Sequence, residues 1–348
     1  MLRQILRKVA SQLRRQVRQR VIPHTMHALS FLRSHRHPLF SWPDQKPLLG
    51  PRVALFVHFD RRGAVRPYVR QYLASLQEAG FSTLFVTNSE KLLPEALDAV
   101  QKMCAGVLIR RNIGYDFGAM REGLEHFGLP HANTEMLAIA NDSVYGPLVP
   151  LDDLFSRIDF KVADLWGTTD SWQQRYHLQS YFLVASPALL RHKAWKSFWN
   201  QVRPVANKTW VISRYEVGIT QWMLLEGVQC AAIWPYSSLV RDSMVDSAEL
   251  TSNQSIGGVS DPMVQRRAQH VTQVRADYGA SVALNPTSDL WRRLLRSGFP
   301  FVKRELLRDN PSSVADLADW RDEVMEISPG HVALIERDLQ LVLRNKAP

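Results

Sequence analysis

The chain has 348 residues, 45% of them hydrophobic and 22% charged, a formal net charge of +10 and two cysteines. That length and balance suit a folded body with its own core and exclude a disordered or disulfide-stapled chain. No apolar run reaches the ~18–20 residues of a spanning helix, which excludes a helical integral membrane protein.

The positive charge is concentrated at the start. Arg3, Arg7, Lys8, Arg14, Arg15, Arg18, Arg20, Arg33 and Arg36 precede the first acid, Asp44. Leu2, Ile5, Leu6, Val9, Leu13 and Val17 recur at helical spacing, which predicts a basic amphipathic helix to about Val21, ahead of Pro23. Residues 1–50 therefore read as an arm. An anionic membrane surface is its expected partner, and a helix docked on its own protein is the plainer reading. No nucleic-acid module accompanies the arm, so no nucleic-acid partner is expected. It lacks the apolar core of a secretory signal. The expected location is cytoplasmic, peripheral on the inner face of the plasma membrane. Cys104 and Cys230 sit in the runs KMCAGVLI and VQCAAIW, where cysteine is a small hydrophobe and thiol or metal chemistry is not expected.

From residue 51 to 240 short β-rich runs alternate with helical patterns. Val53–Phe59 predicts a strand, Pro67–Ala79 a helix, Phe81–Val86 a strand and Pro94–Met103 a helix. Val107–Arg111 is the third strand, followed by a turn over Asn112–Asp116 and a helix to about Phe127. Met136–Ala140, a short helix Asp152–Ile158 and a strand Ala163–Gly167 follow. Leu178–Ala185 reads as one strand, Pro187 opens a helix to Val202, and Arg214-Tyr215-Glu216 opens another that stops at Gly227. Cys230–Trp234 is the last strand. The succession predicts an α/β fold, a mostly parallel sheet with helices on both faces. Residues 241–348 read as a loop-rich and helical C-terminal extension. Ser237–Gly279 is polar and loop-like, a helix runs from Asn285 to Arg296, and Val314–Arg344 has mixed charges at helical spacing. The segment ending Lys303-Arg304 suits docking on the body or on a lipid headgroup.

Ligands of parallel sheets bind beyond the carboxyl ends of the strands. Those ends carry Asp60, Thr87-Asn88, Arg111-Asn112 with Asp116, Asn141-Asp142-Ser143 and Thr168-Thr169-Asp170. One such ending is ordinary turn chemistry; five in succession suit a site for sugar and ribose hydroxyls. Gly114 permits a tight turn, and Asp116 either caps the next helix or faces a ribose or base. Arg110 and Arg111 are forks of the kind that neutralise pyrophosphate. His177 contacts an acceptor or leaving phosphate, or is a satisfied structural histidine. Phosphate-loop, dinucleotide, zinc-protease and nucleophile-elbow motifs are missing, which removes the support for an ATPase, dehydrogenase or hydrolase of those classes.

The runs Arg111-Asn112-Ile113-Gly114-Tyr115-Asp116-Phe117-Gly118-Ala119 and Asn141-Asp142-Ser143-Val144-Tyr145-Gly146-Pro147 carry a resemblance, as do Trp166–Asp170, His177–Phe182, Tyr215–Gly218 and Phe299–Leu307. With them the chain resembles the rhamnan synthesis F family of polysaccharide glycosyltransferases. The resemblance implies an A-type glycosyltransferase fold and transfer from a nucleotide-sugar donor, dTDP-rhamnose as the first guess, to a lipid-linked glycan acceptor. In such folds an aspartate motif meets the diphosphate, usually through a divalent metal. Asn141-Asp142-Ser143 stands in that place but departs from Asp-x-Asp. One carboxylate leaves both Mg²⁺ or Mn²⁺ on Asp142 and a metal-free site open. Inverting transfer needs a base for the acceptor hydroxyl. The resemblance implies Glu216 for it, with Asp170 in reserve; an acid favouring a helix start is the plain alternative for Glu216. A non-catalytic sugar-binding or scaffold subunit of a polysaccharide assembly is the rival function, and a nucleotide-sugar hydrolase a third.

Overall fold

The computed structural model describes residues 38–243 and 262–344, together with Thr25, His27 and Ala28. The helix expected over 2–21 lies outside the described residues. His27, from the same arm, lays its ring 5.0 Å from that of Trp210.

Among the described residues a nine-stranded sheet organises the chain. Its strands are β1 (Pro38–Trp42), β2 (Arg52–His58), β3 (Ser82–Thr87), β4 (Gly106–Arg110), β5 (Met136–Asn141), β7 (Leu165–Ser171), β8 (His177–Leu178), β9 (Phe182–Ala185) and β10 (Cys230–Trp234); β6 (Val144–Tyr145) stands apart from it. The order is β1-β4-β3-β2-β5-β9-β7-β10, with β8 beside β7. The strands β4, β3, β2 and β5 run parallel, and the chain enters at β2, fills one side and returns to β5 on the other. That reversal opens a crevice between the carboxyl ends of β2 and β5, the switch point where α/β sheets hold ligands.

The sheet is mixed rather than mostly parallel. β1 is antiparallel to β4, β9 is antiparallel to both β5 and β7, and β8 is antiparallel to β7. Chain length explains β8: only five residues separate it from β7, too few for the crossover that a parallel neighbour requires. The run expected as one strand, Leu178–Ala185, is broken over Gln179-Ser180-Tyr181. The gap leaves those three side chains free to line a cleft.

Side chains of β2 alternate between the two faces. Ala54 and Phe56 join α1 (Pro67–Glu78) through Tyr68, Tyr72 and Leu76. Val53, Leu55 and Val57 join α3 (Tyr115–His126) through Phe117, Met120 and Leu124. α2 (Pro94–Met103) and α4 (Leu151–Ser156) pack on the first face. The expected helix after Pro187 is two: α5 (Pro187–Arg191) and α6 (Lys193–Gln201), parted at His192, whose Nδ1 accepts from the Ala194 amide at 3.3 Å.

The helix of Glu216 also begins earlier than its sequence suggests. α7 (Lys208–Val211) is capped by Asn207, whose Oδ1 accepts from the Trp210 amide at 2.9 Å. A π-helical turn, Ile212–Glu216, then leads into α8 (Val217–Leu225). Glu216 is thus internal, and a helix-start role for its charge is removed.

The polar stretch expected as loop contains α9 (Pro262–Gly279). Only Val274 of α9 is buried, so no apolar stripe announced it; Arg266 pairs with Asp319 and Arg267 with Glu323 instead. α10 (Trp291–Arg296) and a 3₁₀ turn (Ala315–Asp319) meet around Arg292, which bonds Asp316, Asp319 and Glu323. Between them β11 (Val302–Lys303) pairs antiparallel with β6 and leads into α11 (Arg304–Asp309). α12 (Trp320–Ile327) and α13 (Pro329–Arg344) complete this side, where Trp320, Ile335 and Leu339 share the core of α1.

Candidate active site

A cleft of about 590 Å³ opens at the switch point. The turn into α3 gives it Tyr115 and Asp116, and the end of β5 gives Asn141, Asp142 and Ser143. β8 supplies His177 and the strand break Gln179, Ser180 and Tyr181; the π-turn supplies Glu216; β11 and α11 supply Lys303 and Arg304.

The motif after β5 folds on itself. The Ser143 amide and hydroxyl both donate to Asn141 Oδ1, at 3.1 and 2.5 Å, while Asn141 Nδ2 donates to Asp116 Oδ2 at 3.0 Å. One asparagine thus shapes the turn and fixes the neighbouring carboxylate. Asp142 is anchored by its own amide, which donates to Val57 O at 3.1 Å, and its Oδ2 receives the Phe59 amide at 3.4 Å. Arg304 Nη1 donates to the Asp142 carbonyl at 2.9 Å and lies 3.7 Å from Oδ2.

Burial raises the Asp116 carboxyl to about 6, with Asp142 and Glu216 adding to it and Lys303 opposing. Burial likewise lifts Asp142 to about 6, against the pull of Arg304. Burial also lowers the Lys303 ammonium from its ordinary range, although Glu216, Glu305 and Asp116 favour its charge. Lys303 Nζ lies over the Tyr181 ring at 4.5 Å and within 3.5 Å of Ser143 Oγ. Glu216 Oε1 accepts from the Ser180 hydroxyl at 3.1 Å. The cleft therefore sets acids and cations side by side, several of them buried, where electrostatic interactions are stronger than in bulk water.

The residues expected at strand ends divide. Asp116, Asn141, Asp142, Ser143, His177 and Glu216 converge on the cleft. His177 is oriented by donation from Nδ1 to the Arg175 carbonyl at 2.8 Å. Asp60 stands one ion pair removed: Arg66 bridges it at 2.9 Å to Asp338, which pairs with Arg304 at 3.3 Å. Burial opposes the Asp60 charge, but the Arg62 and Ala64 amides and the Arg66 guanidinium outweigh it and hold the carboxyl below its usual range. Asn88 is buried and bonds Arg110, whose remaining nitrogens bond Glu122 and the Ile113 carbonyl. Arg110, fully enclosed, is thus a brace beneath the α3 turn with no face toward a ligand. Arg111 and Asn112 lie exposed outside the cleft lining. Gly114 has φ +83°, and a Cβ there would meet Pro204 Cα at 2.7 Å. Asp170 accepts the Tyr236 amide at 2.6 Å, is raised by burial and does not line the cleft.

Sequence reasoning did not assign Lys303, Arg304, Asp338 or Ser180 to the site. The available signal was the pair of cations closing an aromatic segment; the β6–β11 pairing that carries them in joins residues about 160 apart. Among the described residues no three His, Cys, Asp or Glu side chains converge to hold a metal ion. The donors suited to a hard cation are the Asp116 and Asp142 carboxylates. Both are raised by burial and each is near other acids, a condition that a shared cation with phosphate oxygens as its further ligands relieves. The donor set fits such an ion only in that shared form.

Among the described residues no helix is long and apolar enough to cross a membrane. The virulence protein VirA of Vibrio anguillarum is 29% identical over 228 residues, covering 64% of this chain and 69% of that protein. The uncharacterized protein y4gN of Sinorhizobium fredii is 24% identical over 193 residues, 54% of this chain and 50% of its own length. The crystal structure of S. aureus TarS 1–349 is a loose likeness, with a TM-score of 0.34 and 12% identity, covering 83% of this chain and 91% of that one. Residues 83–314, more than half of the chain and a stretch that includes every element from α3 to α11, match Rhamnan synthesis protein F. The chain belongs to the rhamnan synthesis protein F family.

Proposed function

We propose that this protein is an inverting glycosyltransferase of surface-polysaccharide synthesis, moving a sugar from a nucleoside diphosphate onto a glycan. The observation that carries this reading is the cleft itself: a hydrogen-bonded carboxylate, Glu216, and two cations, Lys303 and Arg304, share one space beside Asp116 and Asp142. In the reaction the acceptor hydroxyl oxygen attacks the anomeric carbon and its proton passes to Glu216. The bond from that carbon to the diphosphate oxygen breaks, and its electron pair leaves with the nucleoside diphosphate. Lys303 and Arg304 stabilise the charge that develops there. Asp116 and the Asn141–Ser143 turn orient the donor. A divalent metal, Mg²⁺ or Mn²⁺, would be held by Asp142 with Asp116 and would supply further neutralisation of the diphosphate. Asp170 ranks behind Glu216 as base because Glu216 lines the cleft and Asp170 does not.

dTDP-rhamnose is the first donor to try, given the polymer for which the family is named, and a lipid-linked glycan is the proposed acceptor. The basic arm would hold the enzyme at an anionic inner leaflet; deletion of residues 1–22 then weakens binding to anionic liposomes and spares turnover on a soluble acceptor. The test of the chemistry is Glu216→Gln. It should keep nucleotide affinity and lose transfer by a factor of roughly 10²–10⁴; wild-type turnover in that variant rules the base assignment out. Oligosaccharide binding with no nucleotide-sugar turnover in the wild type would favour a non-catalytic subunit, a reading kept in view by the single, arginine-paired carboxylate of the Asn-Asp-Ser turn.

A further inference from the structure

A second cleft, of about 410 Å³, lies across the π-turn from the first. The turn divides its side chains between them: Ile212 and Glu216 face the first cleft, and Ser213, Arg214 and Tyr215 face the second. Gln174 and Val217 line both, so the two spaces meet beside Glu216. Gln174 holds φ at +67°, a left-handed conformation uncommon for a residue with a side chain and often retained at ligand sites. π-Turns inside helices are likewise concentrated at functional sites.

The lining of the second cleft has a definite chemistry. Trp222 gives partly exposed aromatic surface over the buried rings of Phe198 and Tyr215, amides come from Gln174, Gln201 and Gln221, and guanidinium groups from Arg175 and Arg214. Each amide offers both donor and acceptor groups, which suits hydroxyls that also do both. Among the described residues no carboxylate lines this cleft, in contrast to the first. A metal-bound diphosphate finds no carboxylate here among the described residues, whereas a sugar chain finds apolar surface for its rings, amides for its hydroxyls and, at Arg175 and Arg214, donors for its further oxygens.

From this we infer that the second cleft is the acceptor subsite, holding the end of an oligosaccharide so that its terminal hydroxyl passes Gln174 to reach Glu216. The inference rests on the transferase reading, which fixes the first cleft as the donor side.

Gly218 provides the test. It lines the second cleft and not the first, and a Cβ added there meets nothing nearer than the Ser213 carbonyl at 4.0 Å. Gly218→Phe therefore fills the cleft without straining the helix. Short rhamnan oligosaccharides and, separately, nucleoside diphosphates are titrated into the full wild-type chain and the variant. The expected result is a rise of roughly tenfold or more in the oligosaccharide Kd with the nucleotide Kd unchanged. Gly218→Ala, which leaves the cleft open, should retain oligosaccharide binding and so reports on folding of the altered helix. Equal oligosaccharide affinity in wild type and Gly218→Phe, or no oligosaccharide binding by a wild type that does bind nucleotide, overturns the assignment. Absence of nucleotide binding in every protein counts instead against the donor cleft on which the assignment rests.

Discussion

Gly146→Ala tests how the C-terminal extension builds the candidate site. Gly146 closes the Asn141–Pro147 motif with φ +123°, and a Cβ there would lie 2.4 Å from the Pro300 carbonyl oxygen. That oxygen accepts the Leu148 amide at 2.7 Å, and three residues later the same segment delivers Lys303. Relief of the overlap needs a movement of roughly 1 Å. Backbone strain costs about 1–3 kcal/mol and loss of the hydrogen bond about 1 kcal/mol more. The expected loss is thus roughly 2–4 kcal/mol, or a fall in Tm of roughly 5–10 °C by thermal denaturation. Displacement of Lys303 also removes a charge-assisted bond, so affinity for a nucleoside diphosphate should drop by roughly 10–100-fold in calorimetric titration. Gly80→Ala is the matched control: φ is +80° but nothing lies within 4 Å of an added Cβ, so it costs about 1–2 kcal/mol and spares binding. If Gly146→Ala matches that control in both Tm and nucleotide affinity, the close approach of the two segments does not position the cations.

Other consequences are open to measurement. Lys303→Met should weaken nucleoside diphosphate binding by roughly 10–100-fold at unchanged fold, read by titration and circular dichroism. Arg292→Met takes from the nearly fully buried Asp316 its ion pair, while Asp319 keeps Arg266 and Glu323 keeps Arg267 and Arg296; denaturant unfolding should show a loss of about 3–5 kcal/mol, and an unchanged midpoint contradicts the cluster's role. Burial lowers His58 from 6.5 to about 4, with Arg304 and Arg66 adding to that and Asp60 opposing. The unfolded chain therefore takes up this proton first, and stability falls as pH drops from 6.5 towards 4, by about 3 kcal/mol for this group. The difference between wild-type and His58→Gln unfolding curves isolates that contribution, and parallel curves refute it.

Much of the architecture was legible because the central strands are buried on both faces and read as continuous apolar runs. Cys230–Trp234 and Pro94–Met103 match their expected bounds, the latter since Pro94 starts its helix at a position that lacks no hydrogen bond. Strand direction was less legible: nothing in Leu178–Ala185 states that its middle leaves the sheet to line a cleft. The α9 helix escaped notice because ion pairs to Asp319 and Glu323, distant in sequence, replace an apolar stripe. The cleft itself was half visible. Strand-end polar residues such as Asn141 and Asp116 announce themselves locally, whereas Lys303 and Arg304 join them only through a two-residue β-pairing with a remote segment. Arg110 shows the opposite error of inference. An arginine pair at a strand end resembles phosphate forks, and only the enclosure of Arg110 by Glu122, Asn88 and Ile113 reveals a structural brace.

The most direct test of the central claim is calorimetric titration of nucleoside diphosphates and nucleotide sugars, dTDP-rhamnose among them, into the full chain with and without Mg²⁺ or Mn²⁺. The account predicts binding of at least one nucleotide that is weakened by Lys303→Met and kept by Glu216→Gln. No binding of any nucleotide under any of these conditions would contradict the assignment of the switch-point cleft as a donor site.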